Sequence, residues 1–267
     1  MLSNNRTRLV ALILGLAVVV GSLAWWRYQA SLYDFEFPRT HPADAPGTLD
    51  AIGQLTEGDD PLCTATLVAD RWAITSAGCL WNPDTADWRS PGSLFVRLAG
   101  NGTRFKAESP VIAVSMADSV KSPEDFKNGR FDWAILELAD DVSDRIKPLP
   151  LERLTRQVHG LIGAQGWLIY AIGYPASNPD DRLVHSACHV LEMSEDQRMI
   201  LNSCVSSGLD DPASMPVMAR REGVYHVMGI QSRRVTYKDK VFGFAAGGLA
   251  IYERLAELRG KNADSEG

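Results

Sequence analysis

The chain has 267 residues, 45% of them hydrophobic, which is enough for one large core or two small ones. Its formal net charge of −6 and its pI near 5.4 argue against a nucleic-acid partner, which requires a basic face. No segment is low in complexity and no short-period repeat is present, which argues against a repeat architecture.

The chain begins with an apolar segment. Residues 9–26 form a run of 18 residues without a charge, just long enough to cross a bilayer. Arg6 and Arg8 precede the run and predict a cytoplasmic N-terminus, with the rest of the chain on the other side of the membrane. The alternative is a cleaved signal peptide, because Ser22 and Ala24 supply the small residues of a cleavage site. Both interpretations export the remainder of the chain.

We therefore predict that residues 1–28 are a cytoplasmic N-terminus and membrane anchor, or a signal peptide, and that residues 29–47 are a tether. The tether is predicted from three prolines among polar and acidic residues. The expected location is the inner (cytoplasmic) membrane, in single-pass form, with the domain in the periplasm or outside the cell. After cleavage, the protein would instead be secreted or periplasmic.

Residues 63–79, CTATLVADRWAITSAGC, follow a first predicted strand at 51–55. Alternation at 64–68 indicates a half-buried strand, and residues 72–75 indicate a second, with a short polar turn between them. Further strands are predicted at 93–99, 103–107, 111–115, 131–138, 166–174, 183–191, 199–202, 224–232 and 241–246. Residues 119–130 are polar and predicted as a loop. Residues 251–259 have the apolar spacing of a helix, and 261–267 are expected to be a frayed tail.

The four cysteines form two pairs of matched spacing, Cys63 with Cys79 and Cys188 with Cys204. An even number with paired spacing favours two disulfides and an oxidising compartment. A bridge across the first pair would close a loop of about 17 residues and contribute roughly 3 kcal/mol. The alternative is four buried thiols in a cytosolic protein.

The block at 63–79 resembles the start of trypsin-like serine proteases, in particular the bacterial branch that includes the glutamyl endopeptidases. The segments DWAILEL at 132–138, GYP at 173–175 and PV at 216–217 resemble further blocks of the same family. The resemblance covers roughly residues 49–259.

The resemblance implies an all-β fold of two antiparallel six-stranded Greek-key barrels with a C-terminal helix, here preceded by the N-terminal transmembrane helix. The first barrel would span residues 48–148. The second barrel and the terminal helix would span residues 149–260.

The catalytic positions of the family are largely replaced. The general-base histidine stands directly before the second cysteine of the block, where this chain has Gly78. Asp132 matches the aspartate that orients this histidine, and Ser232 matches the serine that hydrogen-bonds the aspartate. A purely structural role for Asp132 is the alternative, because a buried carboxylate can be held by backbone N–H groups and a hydroxyl without doing catalysis.

The nucleophile motif of the family is GxSGxPV. Anchoring it on Pro216 and Val217 places Asp211 at the oxyanion-hole glycine, Ala213 at the serine and Ser214 at the second glycine. Asp211 would bring negative charge to the place where an oxyanion develops, the opposite of what catalysis requires. Shifting the register by one residue would make Ser214 the nucleophile, but it would displace the proline and still provide no base.

Arg233 and Arg234 follow Ser232, where the protease branch has glycines that line the substrate groove, and we expect them to crowd it. His185 and His189 have i,i+4 spacing but fall on a predicted strand, so we expect no metal site and no cofactor. The resemblance, together with the replacement of the catalytic residues, predicts a catalytically inactive, membrane-tethered homologue that binds a membrane-associated protein partner. The alternatives are an active hydrolase with non-standard residues, and a decoy or regulator of a true protease.

Overall fold

The computed structural model describes residues 49–100, 104–127, 129–155, 168–174, 183–204, 214–221, 224–238 and 240–265, together with 21, 22, 24 and 25. Within these ranges, no helix is both long enough and apolar enough to cross a membrane. The predicted membrane segment lies almost entirely outside the described residues, and the predicted tether lies wholly outside them. Residues 37–267 make up one compact unit, and all that follows concerns this unit.

The described residues of this unit are mostly β-strand. The first half contains β1 (Ile52–Glu57), β2 (Asp60–Ala69), β3 (Trp72–Thr75), β4 (Trp81–Asn82), β5 (Asp87–Trp88), β6 (Leu94–Leu98), β7 (Ala107–Met116) and β8 (Ala134–Leu138). The second half contains β9 (Leu168–Gly173), β10 (Leu183–Cys188), β11 (Val190–Met193), β12 (Met199–Asn202), β13 (Pro216–Arg221), β14 (Val224–Tyr237) and β15 (Lys240–Gly247). Helix α1 spans Pro123–Phe126 and helix α2 spans Gly248–Ser265.

Six strands of the first half close into a barrel in the order β1-β2-β3-β8-β7-β6. The pairs are antiparallel, and β6 returns to lie beside β1, which is a Greek-key arrangement. Alternation fixes which side chains face inward: in β6, Leu94, Val96 and Leu98 are buried while Phe95 and Arg97 between them are only partly so. The six-stranded antiparallel barrel predicted for this half is confirmed.

The second half forms a sheet in the order β10-β9-β13-β14-β15-β12-β11. This sheet has seven strands where six were predicted, because one predicted strand, 183–191, is interrupted at His189 into β10 and β11. These two pieces lie at opposite edges of the sheet, so one passage of the chain joins the edges. If β10 and β11 are counted as one strand, the strands of the second half have the same order around the sheet as those of the first barrel.

Several predicted boundaries move. Among the described residues of the strand predicted at 103–107, only Ala107 lies in a strand, so that prediction is wrong for residues 104–106; β7 begins at Ala107, includes the strand predicted at 111–115 and ends at Met116. The predicted loop at 119–130 contains α1, whose start is fixed by reciprocal hydrogen bonds between Ser122 and Asp125. Helix α2 is longer than predicted and includes most of the segment expected to be a tail.

Candidate functional site

Asp132 is a buried carboxylate, 5% exposed, that stands two residues before β8. The Ser76 hydroxyl donates to its Oδ1, and the Gly78 backbone N–H donates to the same oxygen at 2.8 Å. The Ser232 hydroxyl donates to its Oδ2 at 2.5 Å. Donors from both barrels therefore satisfy this carboxylate, as burial of a charged group requires. The predicted bond between Ser232 and Asp132 is present.

The position of Gly78 is fixed by a disulfide bond of the neighbouring residue. It lies in a 3₁₀ helix, Ala77–Leu80, which follows β3 almost directly. The neighbouring Cys79 is disulfide-bonded to Cys63 of β2, with the two Cα atoms 6.1 Å apart, which confirms the first predicted bridge. This cross-link ties the 3₁₀ helix to the barrel wall and holds the Gly78 N–H against Asp132.

Position 78 faces the carboxylate but offers it no side chain. A Cβ atom built on Gly78 would lie 3.5 Å from Oδ1 of Asp132, 3.6 Å from Oγ of Ser76 and 3.4 Å from Cε2 of Phe126. These are ordinary contact distances, so neither space nor backbone geometry requires glycine here. The position thus has the placement expected of the family's general base and lacks the imidazole.

Aromatic side chains line the space beside Gly78. Phe126 of α1 has its ring centroid 6.0 Å from that of Trp88, and Trp88 packs edge-on against Trp81 with centroids 5.3 Å apart. Phe126 is not among the residues predicted for the site, because residues 119–130 were predicted to be a loop. No local pattern indicated that this segment would return to cover the 3₁₀ helix.

Ser214 adopts the left-handed backbone region, with φ of 69°. Glycine is the residue that adopts this region without strain, so the conformation agrees with the motif register that puts Ser214 at a glycine position. Its hydroxyl is buried and accepts a hydrogen bond from the Thr64 N–H at 2.8 Å. Asp211 and Ala213, the other positions of the motif, lie outside the described residues.

Thr64 connects the two barrels at this point. Its Oγ1 accepts a hydrogen bond from the Tyr174 N–H at 2.8 Å and donates to the Tyr174 carbonyl at 3.3 Å. Thr64 belongs to β2 of the first barrel, while Tyr174 follows β9 of the second. These contacts fix the junction where Ser214 lies.

Arg233 and Arg234 are exposed residues on β14, directly after Ser232. The Arg233 guanidinium lies over the ring of Phe244, with its Cζ 5.0 Å from the ring centroid. The Arg233 Nε would also lie 3.5 Å from a Cβ atom built on Gly129, which places this guanidinium beside the loop that leads to Asp132. Obstruction of a bound peptide by the two arginines stays a prediction.

The second predicted disulfide is wrong for this structure, in which Cys188 and Cys204 are buried thiols. Burial raises the pKa of the Cys204 thiol well above its usual range, and a hydrogen bond with Cys188 raises it further. The matched sequence spacing did identify two cysteines whose side chains are in contact. Whether they are oxidised depends on the loss of two electrons to an oxidant, which spacing does not specify.

Histidines contribute little to this region. Among the described residues, no cluster of three or more histidine, cysteine, aspartate or glutamate side chains could hold a metal ion. His226 has its Nδ1 3.2 Å from a carboxylate oxygen of Glu152. His189 is the single residue at which the β10–β11 passage is interrupted.

A comparison with protein-family models places the chain among known proteins. The family model described as Trypsin matches residues 42–198, which is more than half of the chain. The match includes Gly78 and Asp132 and ends before the nucleophile segment. A search of curated proteins found no match.

Proposed function

Because this chain belongs to the trypsin family yet has glycine at position 78, where the family has its general-base histidine, we propose that it is a catalytically inactive homologue that acts as a protein-binding module. We place it in the bacterial branch that includes the glutamyl endopeptidases, on the resemblance of residues 63–79. In place of hydrolysis, the two barrels would present their loops to a protein partner at the membrane. No cofactor is needed for this role.

The observation that carries the proposal is the set of hydrogen-bond donors that bind the Asp132 carboxylate. In a working triad this carboxylate accepts the Nδ1–H of the histidine, holds its tautomer and stabilises the imidazolium. Here one of its oxygens is bonded to Ser76 and to the Gly78 backbone, and the other to Ser232. The carboxylate is a structural acceptor with hydroxyl and backbone donors, and no group at position 78 could take a proton from a nucleophile.

The nucleophile segment supports the same conclusion. Ala213 has no hydroxyl, and Asp211 replaces the glycine whose N–H would stabilise an oxyanion. The neighbouring hydroxyl, Ser214, is buried and accepts a bond from the Thr64 backbone. A serine nucleophile needs a base to take its proton, and the hydrogen bonds described for Ser214 are with the backbone of Thr64 and of Gln231.

We also propose that the domain is exported and tethered through residues 9–26. The disulfide between Cys63 and Cys79 supports an oxidising compartment. Alkaline carbonate extraction and sequencing of the mature N-terminus test the tether. A mature chain that begins at Trp25 would refute the anchor but keep the export, and a purely cytoplasmic protein would refute both.

The test of inactivity is turnover of casein and chromogenic peptides, together with labelling by a fluorophosphonate probe. Wild type, Gly78→His, Ala213→Ser, the double variant and the triple variant with Asp211→Gly are compared with trypsin as the positive control. Loss of one triad member costs on the order of 10⁶ in turnover, and the members act as a unit. We therefore expect wild type and both single variants to be inert and unlabelled.

The double variant should turn over substrate about 100-fold more slowly than the triple variant, because an aspartate still stands at the oxyanion position, where loss of a donor costs roughly 3 kcal/mol. Retained fold is checked by circular dichroism for each variant. Probe labelling of the wild type, mapped by mass spectrometry to Ser214 or any other hydroxyl, would show that the protein is an active hydrolase.

A further inference from the structure

The far end of the β14–β15 hairpin is basic in an acidic protein. We call residues 233–244 the basic hairpin. Residues 233–240 contain the cations Arg233, Arg234, Lys238 and Lys240 against one carboxylate, Asp239. The chain as a whole carries a net charge of −6, so this cluster stands out against the overall charge.

One face of the basic hairpin combines two of these cations, Arg233 and Lys240, with apolar side chains. Residues directly opposite on antiparallel strands share a face of the sheet. The register places Arg233 opposite Phe244, Val235 opposite Phe242, and Tyr237 opposite Lys240. The face therefore has aromatic and aliphatic side chains along its length and a cation at each end.

The apolar side chains of this face are partly or fully exposed. Val235, Tyr237, Phe242 and Phe244 are absent from both hydrophobic clusters of the described residues. Tyr237 is 61% exposed, and the Lys238 ammonium lies 5.2 Å from its ring centroid. Burial in a core thus does not account for the placing of the Tyr237 ring beside a cation.

We propose that the basic hairpin docks on an anionic lipid bilayer, with its cations at the headgroup phosphates and its rings at the interface. Aromatic rings are enriched at this depth of a membrane, and each nearby lysine or arginine strengthens attachment to anionic lipid. The inference depends on the hairpin alone, and it holds whether or not residues 9–26 remain as an anchor.

The size of the face favours a bilayer over a protein partner. Two strands of five residues present a footprint of roughly 150 Å² at the usual strand spacing and rise. A stable protein interface needs about 800 Å² from each partner. A bilayer is a continuous flat surface, so a patch of this size can attach through charge and a few inserted rings.

The experiment is hydrogen–deuterium exchange of the full chain in lipid nanodiscs, with discs of phosphatidylcholine alone and discs that also contain phosphatidylglycerol. Amides of residues 233–244 should exchange about 10-fold more slowly in the anionic discs, and the difference should vanish in high salt. The test variant is Arg233→Gln/Lys238→Gln, which keeps every ring. The matched control is Lys121→Gln/Lys127→Gln, which removes the same charge from another exposed site.

The test variant should lose the protection and the control should keep it, while exchange in β1–β3 stays unchanged in both and reports an intact fold. Equal exchange of the hairpin in both kinds of disc would overturn the proposal. Protection that survives in the test variant would also overturn it. If polyglutamate protects the hairpin and anionic lipid does not, the ligand is an acidic polypeptide and the lipid proposal is wrong. Protease activity, measured separately, does not affect any of these outcomes.

Discussion

At the scale of single residues, Asp132 is expected to matter for stability. Asp132→Ala would leave the partly buried Gly78 N–H without its acceptor, since a backbone donor cannot turn to another partner as the hydroxyls of Ser76 and Ser232 can. We expect a loss of about 3 kcal/mol in the free energy of unfolding. Asp132→Asn should cost only about 1 kcal/mol, because its amide oxygen can serve Gly78 and Ser76 while its amide nitrogen donates to Ser232.

Urea denaturation of the three proteins measures these differences. Asp144→Ala is the control, because this side chain is 77% exposed, and we expect a change within about 0.5 kcal/mol. If the asparagine variant proved as unstable as the alanine variant, the negative charge rather than the hydrogen bonds would be what this position contributes.

The sequence predicted only part of this residue network. The pairing of Asp132 with Ser232 followed from the family motifs, which place both residues in recognisable blocks. Ser76 and Phe126 were missed, because their contacts join segments that are distant along the chain and carry no shared pattern. Ser214 was assigned to a glycine position by motif spacing, and its left-handed backbone agrees with that assignment.

At the scale of elements, Gly53 sets the closest approach of β1 to β6. A Cβ atom built on it would lie 1.9 Å from the Arg97 carbonyl oxygen, which is backbone and cannot move aside alone. Gly53→Ala should therefore separate the two strands where the first barrel closes, and we expect a loss of about 3 kcal/mol or more.

The control for Gly53→Ala is Gly92→Ala, at a position where a Cβ atom meets nothing within 4 Å. That variant should be neutral or up to about 0.5 kcal/mol more stable, since it restricts the unfolded chain. Thermal unfolding measures both. A Gly53→Ala protein as stable as the wild type would mean that the β1–β6 pair tolerates wider spacing than its contacts indicate.

Element boundaries were the part of the fold that pattern reasoning located least well. Alternation located most strands of the first barrel, but it placed one at 103–107, whereas residues 104–106 precede β7, which begins at Ala107. It also joined β10 and β11, since the residues on both sides of His189 remain strand-like. An interruption of this kind is set by the closure of the sheet, which depends on strands far away in the sequence.

At the scale of the whole molecule, both barrels follow one strand order, and the sequence could not have shown this by composition or period. The two halves have no visible internal repeat, so the expectation of two barrels came from the resemblance to a family. What the structure adds is the junction between the halves. Asp132 bonded to Ser232, and Thr64 bonded to Tyr174 and Ser214, both join the first barrel to the second.

The junction predicts that the barrels unfold together. Thr64→Val keeps the shape of a fully buried side chain but removes Oγ1, which leaves the Tyr174 N–H of the second barrel without its acceptor. An unsatisfied buried donor costs about 1–3 kcal/mol. If the two barrels form one cooperative unit, this cost lowers the free energy of unfolding of both barrels, although the substitution lies in the first.

Hydrogen exchange under native conditions tests this point. The slowest amides of β3 and of β12 should both exchange faster in Thr64→Val, by the same factor of roughly 5 to 100, because each 1.4 kcal/mol is a factor of ten. Thr85→Val, at an exposed turn, should leave both sets unchanged. Acceleration confined to one barrel would show that the barrels open separately, and that the contacts of Thr64 position the junction without coupling the two halves.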